Sequence, residues 1–138
     1  MIKIKNKDVI KCFFLLRDVP LSLKESRLRS KFCKILAQHN DCEYIPEKQK
    51  IINMFAVIDE NGQQVISNNK LQEYQTENKL LDDEELLIEC NEINKMMVLC
   101  INDVLNNEEV FEKISGEDAL IHDMLCDIFE EAVKKYDN

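Results

Sequence analysis

The amino-acid sequence predicts a mainly α-helical fold: a single domain of about four helices, a helical bundle, with a small β-hairpin. The chain holds only two glycines and two prolines in 138 residues, too few for a sandwich or barrel that turns about every ten residues. Apolar residues make up 45% of the chain and charged residues 33%, a composition typical of globular proteins. This length fits one domain with its own core, so residues 1–138 are taken as one unit.

The amino-terminal segment is predicted to lead into a first helix. Residues 1–5 alternate apolar and basic side chains, which fits either a short edge strand or the lead into a helix. Asn6 is predicted to be the N-cap, because an asparagine side chain can accept a hydrogen bond from a free N–H group of the first turn. The helix is predicted to end near Arg17, since Pro20 pushes the residue before it out of the helical region.

A capping box predicts the start of a second helix. Ser22 and Glu25 have the spacing at which the two side chains can satisfy each other's free backbone N–H groups. Apolar residues follow at helical spacing, and a proline stands at position 46. Pro46 either kinks this helix or lies in the first turn of a further segment over residues 47–55.

A turn signal indicates the hairpin. Asn61 and Gly62 both tolerate positive φ, and β-forming residues flank them within residues 55–66. Residues 67–81 are rich in Asn, Gln, Lys and Glu. They are predicted to form a polar connection with at most a turn or two of helix.

Two further helices are predicted in the carboxyl-terminal half. The first begins at Asp82 and carries apolar residues at alternating spacings of four and three, a heptad seam that can pack within the chain or across a dimer. The seam consists of Leu86, Cys90, Ile93, Met97, Cys100 and Val104. The second begins at a cap formed by Ser115 and Asp118. Its inward side is predicted to carry Ile121, Leu125, Ile128 and Ala132, with Phe129, Val133 and Tyr136 alongside.

The charge is divided unevenly along the chain. Residues 1–50 hold 12 Lys and Arg against 6 Asp and Glu, a net charge of +6, and the other 88 residues hold 6 against 21, a net charge of −15, which together give −9. Such a division indicates either helices of opposite charge packed side by side or two surfaces with different partners.

Two charged segments are the candidate partner-binding residues. The first is a basic stripe on the second helix, formed by Lys24, Arg27, Lys31 and Lys34 with Arg29 beside them. The second is the acidic run Asp82, Asp83, Glu84 and Glu85, which also complements the positive end of the predicted helix. A net charge of −9 and the absence of interleaved aromatic residues argue against nucleic acid as the partner of the stripe.

One set of residues has the composition of a metal site. His39 with Cys42, and His122 with Cys126, each place two zinc-type ligands on one helix face, and together they would make a Cys2His2 tetrahedron. The alternative is that both histidines are satisfied at the edge of the core. Zinc fingers have tighter spacing and fold only with metal, whereas this chain has ample core, so neither a metal nor a cofactor is predicted.

No catalytic residues are predicted either. Any of the six cysteines might meet a histidine in space, but no motif marks an activated thiol. Two glycines cannot build a phosphate-binding loop. The cysteines include no Cys-x-x-Cys pair, and the first residues do not form a secretory signal. Reduced thiols and a cytoplasmic location are therefore expected. No membrane partner is expected either, because no stretch approaches the roughly 20 apolar residues of a membrane span.

Three segments carry a resemblance to a known family. Residues 26–32, 57–62 and 115–119, the last followed by Phe129 and Glu130, occur in this order in it. In these segments the chain resembles an uncharacterised family of small proteins encoded by phages and prophages of Gram-positive bacteria. The shared motifs are caps and turns, so the resemblance supplies no active site.

The resemblance implies a phage accessory protein in the cytoplasm of the bacterial host. The predicted function is non-catalytic binding to a host or phage protein, inhibiting or modulating a host protein such as one of antiviral defence. One alternative is a virion-assembly or tail-associated component, for which a homo-oligomer would be the functional form. A third is a nucleic-acid-binding module that uses the basic helix.

Overall fold

The computed structural model describes residues 1–137, which form a mainly helical fold with two small antiparallel sheets. In chain order the elements are β1 (Ile2–Lys5), α1 (Asn6–Leu16), α2 (Leu23–His39), a π-helical turn (Asn40–Tyr44), α3 (Ile45–Phe55), β2 (Ala56–Ile58), β3 (Gln64–Ile66), α4 (Leu71–Asp83), β4 (Glu85–Ile88), α5 (Lys95–Leu105), α6 (Glu108–Phe111) and α7 (Gly116–Lys134). The mainly α prediction is confirmed, although the described residues form more helices than the four expected. Within residues 1–137, no helix combines the length and the apolar character that crossing a bilayer requires.

Four helices enclose the core. α1 packs on α2, α2 on α5, α5 on α7 and α7 on α1, so each helix of this bundle has two neighbours. Phe32 of α2 and Phe129 of α7 meet edge to face with ring centroids 5.4 Å apart. Leu16, Ile101 and Leu125 are completely buried around them. α3, α4 and the hairpin lie outside this bundle, where α4 contacts α3 and α1.

The first sheet pairs the start of the chain with its middle. β1 and β4 are antiparallel, with Ile4 opposite Leu86 and Lys5 opposite Glu85. Burial alternates along both strands, so one face of the sheet packs on the core and the other faces solvent. The edge-strand alternative for residues 1–5 is thus the one observed.

The second sheet is the predicted hairpin, β2 paired with β3. Of the two turn residues, only Gly62 adopts a positive φ, at 78°. The carboxylate of Asp59 fixes the turn, because its Oδ1 accepts hydrogen bonds from the N–H groups of Asn61 and Gln63, both at 2.9 Å. The hairpin prediction is confirmed, with the turn closed by an aspartate as well as by the glycine.

Ser22 caps α2 as predicted, but the Glu25 carboxylate bonds to the Ser22 hydroxyl and not to its backbone N–H. Ser22 Oγ accepts the N–H of Glu25 at 3.3 Å and donates its own proton to the Glu25 carboxylate at 2.8 Å. After His39 the chain continues without a break through the π-helical turn into α3, and Pro46 lies in the first turn of α3. A proline is tolerated there because the first-turn N–H groups have no helical acceptor.

Asn6 is not an N-cap, which corrects the sequence prediction. Lys5 holds the cap position without a side-chain cap bond. The turn is held instead by strand pairing, since the N–H of Asn6 donates to Glu84 O at 2.8 Å. The Asn6 side chain is 4% exposed, and its Nδ2 donates to Leu81 O at 2.8 Å.

The helix predicted from Asp82 is wrong in its first part. α4 ends at Asp83, Glu85–Ile88 form β4, and α5 begins only at Lys95. Leu86 and Ile88 do face the core, but from a strand, because residues two apart share a face of a strand. From Met97 onward the seam is buried as expected, and it packs within the chain against α2 and α7.

The polar segment 67–81 is also different from the prediction. Most of it belongs to α4, a helix in which Leu81 is the one buried residue. So few buried positions leave no apolar stripe in the sequence. At α7, Ser115 holds the N-cap position, but its side chain makes no cap hydrogen bond. Of the residues predicted on or beside the inward side of α7, Ile121, Leu125, Phe129 and Ala132 are buried, whereas Ile128 is half-buried.

Candidate protein-binding surfaces

The outer side of α2 carries three exposed cationic side chains. Lys24, Arg27 and Lys34 are exposed, and none of them forms an ion pair within residues 1–137. Their spacing along the helix places them on one side. We call these three residues the basic face.

Arg29 points away from the basic face, towards α1. Its Nη1 donates to Leu16 O at 3.1 Å and to Val19 O, and its Nη2 donates to Ser26 Oγ at 3.1 Å. The guanidinium thereby satisfies carbonyl groups at the end of α1, where a cation also complements the helix dipole. This predicted binding residue is engaged in a tertiary contact.

Lys31 also makes a contact within the chain. Its Nζ donates to Ile93 O at 3.0 Å and so joins α2 to the segment before α5. The side chains of Ile93 and Met96 beside this contact are 80% and 54% exposed. The basic face is therefore bordered by apolar surface, a combination found at protein-binding sites.

A groove between α1 and α2 adjoins the other border of the basic face. It encloses about 250 Å³. Phe13, Cys33 and Ala37 supply apolar lining and Lys34 supplies charge, whereas Arg17 also lines the groove but is paired with Asp18 at 3.1 Å. The spacing of residues in the sequence does not indicate Arg17, because a groove between two helices depends on how the helices pack.

The acidic run is placed differently from the prediction. It spans the end of α4 and the start of β4, not the first turn of a helix. Carboxylates at a helix C-terminus are opposed by the helix dipole. Nearby lysines offset this, since Asp83 Oδ1 lies 3.7 Å from both Lys5 Nζ and Lys7 Nζ. Among the four residues only Glu84 and Glu85 are exposed.

Asp82 belongs to a small polar network. Its Oδ1 accepts the hydroxyl proton of Tyr44 and lies 3.3 Å from Lys48 Nζ. The pKa of Tyr44 is raised, mainly by burial and then by the Asp82 carboxylate. The hydrogen bond with Tyr44 raises the pKa of Lys48 above its ordinary value. Two of the four predicted acidic residues are thus neutralised by neighbours within the chain.

The four candidate metal ligands lie in different surroundings. His39 Nε2 lies 2.6 Å from Asn6 Oδ1, and its Nδ1 lies 2.8 Å from a Glu43 oxygen. His122 Nε2 lies 2.8 Å from Leu105 O. Across residues 1–137, no three His, Cys, Asp or Glu side chains are grouped so as to hold a metal ion.

Cys126 and His122 are close enough to suggest a nucleophilic pair, with Cys126 Sγ 3.5 Å from His122 Nε2. The electrostatics oppose activation. Burial raises the pKa of the Cys126 thiol, and the carboxylates of Asp123, Asp127 and Glu130 raise it further. A nucleophilic cysteine needs a lowered thiol pKa. The pair is a packed contact at the end of α5.

Comparisons with protein-family models, with curated proteins and with solved structures found no match to this chain. The resemblance to phage-encoded proteins stays a prediction that rests on three segments of the sequence.

Proposed function

We propose that this protein is a non-catalytic accessory protein that binds an acidic surface of another protein through its basic face. The observation that carries the proposal is the unbalanced charge of Lys24, Arg27 and Lys34, in a chain whose net charge is −9. In such a chain three exposed cations without ion pairs form a local reversal of sign, which orients an acidic partner as it approaches.

The surroundings of the basic face support the same conclusion. Exposed Ile93 and Met96 border it on the α5 side, and the groove with Arg17 adjoins it on the α1 side. The groove is about 250 Å³ in volume and its lining includes Phe13, Cys33 and Ala37, so it can receive an apolar side chain of a protein partner. The resemblance to phage proteins suggests that the partner is a protein of the bacterial host.

Charge reversal with a matched control tests this proposal. The variant Lys24→Glu, Arg27→Glu, Lys34→Glu reverses the basic face. The control Lys70→Glu, Lys79→Glu, Lys113→Glu reverses three exposed lysines elsewhere and changes the net charge equally. The parent and both variants are used to capture proteins from bacterial cells, and binding of the captured protein is then measured by calorimetry.

The basic-face variant is expected to bind about thirtyfold more weakly or worse. This follows if each of the three reversed charges costs at least about 0.7 kcal/mol of binding free energy. The control is expected to bind like the parent. Equal losses in both variants would show a non-specific charge effect, and unfolding of the basic-face variant would show that the face is structural. Salt-sensitive binding of the parent to duplex DNA, in place of protein capture, would favour a nucleic-acid-binding module. Abundance in purified virions would favour the assembly role.

A further inference from the structure

The sheet formed by β1 and β4 has an open edge along β4. Within residues 1–137 this sheet has two strands, so β4 pairs with β1 on one side and with no described strand on the other. Asn6 N–H donates to Glu84 O, and hydrogen-bonded pairs alternate in an antiparallel ladder. Leu86 and Ile88 therefore bond to β1, whereas the backbone N–H and C=O groups of Glu85 and Leu87 point away from it.

A groove runs along this open edge. It encloses about 400 Å³ between β4, the end of α2 and the π-helical turn. Ile35 and Leu86 give it an apolar side, and Leu87 is 54% exposed beside it. His39 also lines the groove, but its ring nitrogens face Asn6 and Glu43. An added strand lies about 4.8 Å from its neighbour, so an extended segment placed here would occupy the groove.

The charged residues along the open edge of β4 indicate which kind of peptide segment would bind there. Glu43 and Glu85 are both exposed along the groove. Lys5 lies opposite Glu85 on the paired side of β4, and its Nζ is also 3.7 Å from Asp83. A strand on the open side would place one side chain beside Glu85, the next towards Ile35 and Leu86, and the third beside Leu87. A basic residue suits the first place and an apolar residue the second. At the third place the aliphatic stem of a lysine can cover Leu87, which is also paired with a lysine, Lys3, on the β1 side.

The geometry points to a second binding site, at which β4 accepts an extended, basic peptide segment of another protein as a third antiparallel strand. Main-chain hydrogen bonds to Glu85 and Leu87 supply affinity, and the alternating side chains supply selectivity. Alternation of basic and apolar residues is also what β1 presents to β4 from the other side, in residues 2–5. This site lies on β4, apart from the basic face of α2.

The probe for this site is a fluorescently labelled peptide of six alternating lysine and isoleucine residues, with the same peptide carrying glutamate for lysine as its control. Binding to the full chain is measured by fluorescence anisotropy. Leu87→Pro removes the N–H group at the open edge and keeps the pairing with β1, since proline is tolerated on the outer side of an edge strand. Glu85→Lys reverses the charge, and Glu60→Lys makes the same change at an exposed residue of the hairpin turn.

We expect the lysine peptide to bind the parent and Glu60→Lys equally, and Leu87→Pro and Glu85→Lys at least about tenfold more weakly. The amide of Leu87 should exchange hydrogen more slowly when peptide is bound, a measurement that needs no variant. Unchanged affinity in Leu87→Pro, equal binding of the glutamate peptide, or unprotected exchange at Leu87 would each overturn the proposal. If the parent is a dimer and the Leu87→Pro variant is a monomer, the edge instead binds a second copy of this chain. None of these results depends on the basic face of α2.

Discussion

At the residue scale, a buried asparagine connects three elements of the fold. Asn6 at the start of α1 donates through Nδ2 to Leu81 O of α4, and its Oδ1 lies 2.6 Å from His39 Nε2 of α2. Its backbone N–H bonds to Glu84 O. From the sequence alone an asparagine before a helix indicates an N-cap, and only the pairing of β1 with β4 turns this one inward.

Asn6→Ala is therefore expected to destabilise the fold by about 1–3 kcal/mol, since it removes two buried hydrogen bonds and leaves His39 Nε2 without its partner. Urea denaturation followed by circular dichroism measures the loss. Asn68→Ala, at an exposed residue of the loop before α4, is the control and should change stability by less than about 0.5 kcal/mol. A similar small effect for Asn6→Ala would show that water replaces the lost bonds.

At the element scale, the sequence predicts elements well where one local rule decides the structure. Ser22 with Glu25 and the turn at Gly62 are such places, because their bonds are made within a few residues. The strand β4 was missed because Leu86 and Ile88 fit a helical seam as well as a strand, and only pairing with β1 distinguishes the two. The groove beside β4 depends on that pairing and was therefore not foreseeable.

The basic stripe shows the same limit at a candidate site. Spacing on α2 correctly placed Lys24, Arg27 and Lys34 on an exposed side of the helix. It could not show that Arg29 bonds to carbonyls at the end of α1, or that Lys31 bonds to Ile93 O, since both contacts depend on how the helices pack. Such contacts separate the residues that hold the fold together from those that stay free on the surface.

Two helix starts of similar sequence are expected to differ in energy. Ser22 caps α2 through its side chain, whereas Ser115 at the start of α7 makes no such bond. Ser22→Ala should lower the free energy of unfolding by about 1 kcal/mol, the usual value of a serine cap. Ser115→Ala should change the free energy of unfolding by only a few tenths of a kcal/mol. Urea denaturation of both variants provides the comparison, and equal losses would contradict the assigned difference between the caps.

At the scale of the whole molecule, part of the charge asymmetry is structural. Lysines from the basic first fifty residues neutralise the acidic middle, as Lys48 does at Asp82 and as Lys5 and Lys7 do at Asp83. Lys11 likewise reaches Glu117 of α7 at 2.5 Å. The charges that remain unpaired on α2 are those on which the proposed function depends.

The stability of the fold depends on pH in the alkaline range, because buried thiol and phenol groups are protonated in it. Burial raises the pKa of the Cys12 thiol from 9.0 to about 12, and it also raises the pKa of Cys33 and Tyr44. A thiol with a raised pKa in the fold stays protonated there, whereas the unfolded chain releases that proton above pH 9.0. The stability from the neutral thiol is therefore complete below pH 9.0 and is lost as the pH rises towards 12.

The free energy of unfolding is thus expected to fall by about 1–1.5 kcal/mol between pH 8 and pH 10 because of Cys12 alone. Cys12→Ala removes the titrating group, so its stability should decline less steeply over this range even though the smaller side chain lowers its stability at neutral pH. Cys42→Ala, at the exposed thiol, should keep the slope of the parent. Urea denaturation at several pH values under reducing conditions measures the three slopes. Identical slopes for the parent and Cys12→Ala would show that the Cys12 thiol does not stay protonated in the folded protein.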